Sequence, residues 1–129
     1  MLAASELDGV YVPALMTPVY ENGKLVRFDG KSDIKKAFVK DLDKAIFPKK
    51  FGVASTEAVF ARGIIEVCRG CYRACRFCQA GFIYRPVRPR MPETLTEQAC
   101  SIVTNGGYSE LSLNSLSTGD YPALGTLLD

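Results

Sequence analysis

The run Ile64-Ile65-Glu66-Val67-Cys68, continuing as CRGCYRACRFCQAG from Cys68 to Gly81, decides how this chain is to be read. Its first five residues are mostly apolar and rich in β-branched side chains, which predicts a short buried strand. A loop follows at once, holding four of the chain's five cysteines with Arg69, Arg73 and Arg76 between them. The pattern then predicts a helix. Pro92 suits a first turn, Thr94 with Glu97 forms a capping box, Leu95, Ala99 and Ile102 make one apolar stripe, and Gly106-Gly107 closes the end. A second strand is expected over Glu110 to Leu116, with Asp120 and Pro122 opening another helix. Strand, loop, helix and strand make a βαβ unit, so the expected class is α/β with parallel strands and a right-handed crossover. Ligands in such folds gather beyond the C-terminal ends of the strands. The cysteine loop and SLSTGDY, from Ser115 to Tyr121, both fall on that rim.

Upstream of this unit, residues 1–60 read as a lead-in and residues 61–129 as the chemical part of the chain. Asn22-Gly23 stands between two β-prone runs, a strong signal for a type I′ hairpin. The stretch KSDIKKAFVKDLDKAIFP is ambiguous: Ser32 could cap a short helix, but Phe38, Val39 and Leu42 also suit an extended segment. Pro48 and the KKFG after it read as a linker.

Composition narrows the classes. The chain is 47% hydrophobic and 23% charged, ordinary for a globular domain. Charge, Pro or Gly interrupts every apolar run, so no membrane span is expected. MLAASELDG lacks a basic region followed by an apolar stretch, and five cysteines cannot all pair, so a reducing cytoplasmic setting is expected. Net charge is only +2, yet all eight lysines lie between Lys24 and Lys50, and seven of the eight arginines between Arg62 and Arg90. No Asp or Glu occurs from Val67 to Pro92. The lysines are expected to be a solvated surface. The arginines suit an anionic partner, because a guanidinium grips carboxylates and phosphates bidentately.

Three chemistries would use these thiols. A structural zinc site commonly joins two Cys pairs across a longer stretch than Tyr72-Arg73-Ala74. A ferredoxin-type cluster takes four thiolates, the last distant or followed by Pro. A cubane held by three cysteines, Cys71-x3-Cys75-x2-Cys78, leaves one iron open to a small molecule. The lack of any histidine removes histidine-based catalysis from these residues.

Cys71, Cys75 and Cys78, with Phe77 as the aromatic before the last, resemble the C-x3-C-x-aromatic-C signature of the radical S-adenosylmethionine enzymes. RGCYRACRFCQAGFIYRPVRPR, ELSLNSLSTGDY and the lead-in GVYVPALMTPVYENGKLV are similar to an uncharacterised subgroup related to cobalamin-associated members. The chain departs from it at Phe60-Ala61, where His-Asp is usual, and at Met91, where a capping Ser is usual. The resemblance implies that Cys71, Cys75 and Cys78 hold a [4Fe–4S] cluster. It further implies that S-adenosylmethionine occupies the open iron, with Phe77 near its adenine. Ser115-Leu116-Ser117 stand where the superfamily often has Gly-Gly-Glu, so Ser115 and Ser117 would contact the methionine group. An electron donor such as a flavodoxin or ferredoxin would reduce the cluster. Cleavage would then give methionine and a 5′-deoxyadenosyl radical, which abstracts hydrogen from a small-molecule or RNA substrate. The arginines fit, since cationic neighbours favour a reduced, negative cluster. The implied fold is a partial (β/α) barrel. A full eight-stranded barrel takes roughly 250 residues, so the remainder of the barrel is expected outside this chain. The alternative reading is a non-catalytic iron–sulfur or zinc-binding module, RNA-associated through its arginines and through Phe77, Phe82 and Tyr84.

Overall fold

The computed structural model describes residues 2–53, 55–56 and 58–129. They form two compact units, residues 1–39 and residues 40–129. The first holds a short helix α1 (Leu2–Ser5), a 3-10 turn (Pro13–Leu15) and the antiparallel hairpin of β1 (Met16–Glu21) and β2 (Lys24–Gly30). Asn22 and Gly23 link the strands with φ of 51° and 75°, the two positive values a type I′ turn requires. The register slips once, between Val19 and Tyr20.

The second unit carries the βαβ arrangement. Strand β3 (Gly63–Glu66) runs parallel to β6 (Leu111–Asn114), with Ile64 opposite Ser112 and Glu66 opposite Asn114. Between them lie β4 (Cys68–Arg69), a one-turn helix α2 (Ala80–Ile83), β5 (Arg88–Pro89) antiparallel to β4, and helix α3 (Pro92–Gly106). After β6 come a 3-10 turn (Thr118–Asp120) and helix α4 (Leu124–Leu128). Among the described residues every sheet is two-stranded and none closes.

Strand alternation assigns the two faces of β3. Ile65 and Val67 point to the helix side and are buried with Leu95 and Ile102 of α3 and with Tyr121. Each such fully buried aliphatic side chain contributes about 1.5–3 kcal/mol. Gly63 sits under α3, where a Cβ would run into Ile102, so the strand–helix approach depends on its having no side chain. The opposite face carries Ile64, which is 56% exposed, and Glu66.

This compact unit begins at Lys40, because residues 40–51 are drawn onto its core. Leu42 is buried, Phe47 and Phe51 pack against the cluster, and the Leu42 carbonyl accepts a hydrogen bond from Arg90 Nη1. The ambiguous stretch 31–48 forms neither helix nor strand.

Helix α3 starts where Pro92 was expected to start it and ends on Gly107, whose φ of 68° is the left-handed closing geometry. The capping box of Thr94 and Glu97 does not form. Pro92 at the first turn fixes the N-cap at Met91, three residues before Thr94. The cap comes from another segment instead: Asp43 Oδ1 accepts the Met91 N–H at 2.9 Å. Asp43→Ala should therefore cost about 1 kcal/mol, as lost caps do, read as a lower urea midpoint with an unchanged slope.

Candidate functional site around the cysteine loop

The cysteine loop leaves β3 at its C-terminal end and the SLSTGDY loop leaves β6 at the same end, since the two strands are parallel. One salt bridge closes the gap between the loops. Arg73 Nε and Nη2 donate to Asp120 Oδ2 and Oδ1 at 2.7 and 2.6 Å, a bidentate fork between residues 47 apart in sequence. Ser117 Oγ adds a third donor to Asp120 Oδ2 at 2.7 Å. These donors hold the Asp120 carboxyl well below the usual carboxylate range, with Arg73 the larger cause and Ser117 the next. Ser115 Oγ lies 3.0 Å from Thr118 Oγ1 and accepts the Ser117 N–H at 3.2 Å, which folds the second loop on itself.

Beside this bridge lies an open cavity of about 250 Å³, lined by Glu66, Cys68, Arg69, Tyr84, Asn114 and Ser115, among others. Ligand pockets more often run to about 300–1,000 Å³, so this one is smaller than a site that encloses a whole cofactor-sized molecule. Glu66 is bound bidentately by Arg69, at 2.9 and 2.7 Å, and Arg90 Nη2 stands 3.7 Å away. The hydrogen bonds from Arg69 lower the Glu66 pKa against the opposing cost of burial. A carboxyl with a depressed folded pKa stabilises the fold above its ordinary value of 4.5 and loses that contribution as pH falls through the lower folded value. Glu66→Gln should then melt at a temperature less sensitive to pH below 4.5 than the parent, measured by thermal denaturation across pH 2–6.

The expected site residues separate. Cys71 is buried, Cys75 and Cys78 are half-buried, and Cys100 is exposed. Turn hydrogen bonds tie the three together: the Arg73 N–H donates to Cys71 Sγ at 3.4 Å, the Cys75 N–H to Arg73 O at 2.8 Å, and the Cys78 N–H to Cys75 O at 3.0 Å. As a donor set they fit an iron–sulfur cubane in kind, being soft thiols within one short loop. Among the described residues, no three Cys, Asp or Glu side chains converge as a metal-holding group. Ser115 lines the cavity, whereas the Ser117 hydroxyl is spent on Asp120. Phe77 is 92% exposed and is not part of the cavity lining. Cys100 faces solvent on α3, because it falls off the Leu95–Ala99–Ile102 stripe.

The arginines also differ from expectation. The absence of any carboxylate between residues 67 and 92 suits an anionic partner, yet Asp120 and Glu66 reach Arg73, Arg69 and Arg90 from outside that interval. Arg88 and Arg90 are buried and donate to backbone carbonyls, of Pro86 and Tyr84 for Arg88 and of Glu66 and Leu42 for Arg90. Asp120 is the site residue the sequence reading missed. In sequence it reads as a helix opener, yet it is the first acidic group after Glu110 and lies in a segment expected on the rim.

The site is thus a thiol loop docked on a serine-rich loop at the end of a parallel strand pair. Against known proteins, the chain is 34% identical over 103 residues to the uncharacterized protein MJ0966 of Methanocaldococcus jannaschii. That match covers 73% of this chain and 23% of the relative, so the chain spans about a quarter of that protein's length. No family model and no solved structure matches the chain. No helix among the described residues is long and apolar enough to cross a membrane.

Proposed function

We propose that this chain is the iron–sulfur, S-adenosylmethionine-binding portion of a radical S-adenosylmethionine enzyme working in the reducing cytosol. The observation that carries the reading is the Cys71-x3-Cys75-x2-Cys78 loop, set directly beyond the C-terminal end of β3 and beside a cavity at the ends of two parallel strands. The cluster, when bound, supplies the electron that splits the sulfonium to methionine and a 5′-deoxyadenosyl radical. The chain's own residues do the rest. Cys71, Cys75 and Cys78 would hold the cluster, and Ser115 lines the cavity with its hydroxyl bonded to Thr118 and the Ser117 N–H. The Glu66–Arg69 pair makes one polar wall of it, and Arg76 is the loop cation with no bonded partner among the described residues. The uncovered face of β3, with Ile64 exposed, suits further βα units supplied by the rest of a larger protein. Those units would carry the contacts to a small-molecule or RNA substrate, and the donor of electrons would be a flavodoxin or ferredoxin.

The test is anaerobic reconstitution with iron and sulfide. A brown protein with broad visible absorption, which cleaves S-adenosylmethionine under dithionite, supports the reading. A colourless zinc protein leaves the module alternative in its place. A brown protein with no cleavage leaves a non-catalytic iron–sulfur module.

A further inference from the structure

Arg73 touches both of its cysteine neighbours through its backbone while its side chain is held elsewhere. Its N–H donates to Cys71 Sγ and its carbonyl accepts the Cys75 N–H. The same carbonyl would meet a Cβ on Gly81 at 3.2 Å, so the far end of the loop also closes against this residue. Asp120 grips the other end of Arg73 and is itself fixed by Ser117. The Asp120 side chain is only 19% exposed, although Arg73 is 68% exposed. An ion pair with one partner sunk in the second loop and the other threaded between the thiols joins the two loops at one point.

We infer that Asp120 is a positioning residue for the cysteine loop, acting through the planar fork of Arg73 to hold Cys71 and Cys75 in one backbone geometry. The inference rests on the reading that this loop holds the cluster. It also changes the part assigned to Arg73. A guanidinium already offset by a carboxylate adds little net field at the thiols, so Arg73 serves by its shape and Arg76 by its charge. Lysine keeps the charge of arginine but not its two parallel donors, and that difference separates the two roles.

The experiment uses the 129-residue chain and its Arg73→Lys, Arg73→Gln and Asp120→Asn variants. Two readouts are taken from each: iodoacetamide alkylation rates of Cys75 and Cys78 in the metal-free protein, resolved by peptide mass, and iron and sulfide content after anaerobic reconstitution. Loss of the fork should raise the alkylation rates on the order of tenfold, as the loop opens more often, and lower iron content in all three variants. Arg73→Lys should behave as Arg73→Gln does. Parent-like behaviour of Arg73→Lys on both readouts would overturn the inference in favour of a charge role, and unchanged alkylation in Asp120→Asn would overturn it outright. Should Asp120→Asn lose its cooperative melt, the exposed Arg73→Lys pair of readouts decides. If the parent chain takes up no iron, the cluster reading falls, while the alkylation rates still report on the tie.

Discussion

Cys71→Ala, Cys75→Ala and Cys78→Ala are each expected to abolish cluster assembly, while Cys68→Ala and Cys100→Ala retain it. The first three are the trio at the x3, x2 spacing, and removing one leaves two thiolates for a cubane that needs three. Cys68 is placed differently. It is buried at 5% exposure where β4 begins, and burial pushes its thiol pKa up, which disfavours the thiolate a metal requires. It behaves as a small apolar side chain in the core cluster with Ile65, Val67 and Leu95. Cys100 lies on the solvent side of α3. Iron and sulfide content, with electron paramagnetic resonance of the reduced protein, reads the five variants. Loss of the cluster in Cys68→Ala would indicate a four-thiolate site with no open iron, and the radical mechanism would fall with it.

Gly70→Ala should be the most disruptive single substitution at the base of the loop. Gly70 has φ of 95°, a backbone region that side chains other than glycine's rarely enter. A Cβ there would also stand 2.8 Å from Tyr84 O, 2.9 Å from Val87 Cα and 3.0 Å from Pro86 O. All three are backbone atoms and cannot turn aside as a flexible side chain would. Strained backbone costs about 1–3 kcal/mol and overpacking about 1–3 kcal/mol, so the combined loss is on the order of 3 kcal/mol or more. Denaturant midpoints of the parent and the variant measure it. A midpoint within error of the parent would show that the Gly70 turn and the Tyr84–Val87 segment do not pack as described. Because Gly70 lines the cavity and stands between Cys68 and Cys71, the variant should also lose iron on reconstitution.

Local chemistry and strand pairing were legible in the residues; distant side-chain partners were not. Asn22-Gly23 announced its turn because positive φ at two successive positions is a demand few residues meet. Leu95 and Ile102 announced the buried face of α3 by helical spacing, and the parallel pairing of β3 with β6 followed from the connection between them. The three-cysteine spacing and its position on the strand rim were equally plain. The partners of the arginines were hidden, since Asp120 meets Arg73 only after the chain has run through α3 and β6. The cap of α3 was hidden for the same reason: Asp43 arrives from a segment with no periodicity of its own. Cys100 shows how fine the helical reading is: one position off the apolar stripe is enough to turn a side chain outward.

The long sequence span of the Arg73–Asp120 bridge has a consequence for the order of events during synthesis. At about 5–20 residues per second, the 47-residue step from Arg73 to Asp120 takes several seconds to be made. Hairpins close in about 1–10 μs, so the turn at Asn22-Gly23 is complete long before then. The thiols of Cys71, Cys75 and Cys78 therefore wait, without their clamp, for a time far longer than local folding requires. Iron delivered in that interval would meet a loop whose geometry is still unset, and iron delivered afterwards would meet one already held. If this loop holds the proposed cluster, its assembly would accordingly be a late event, following completion of the second strand rather than accompanying emergence of the first.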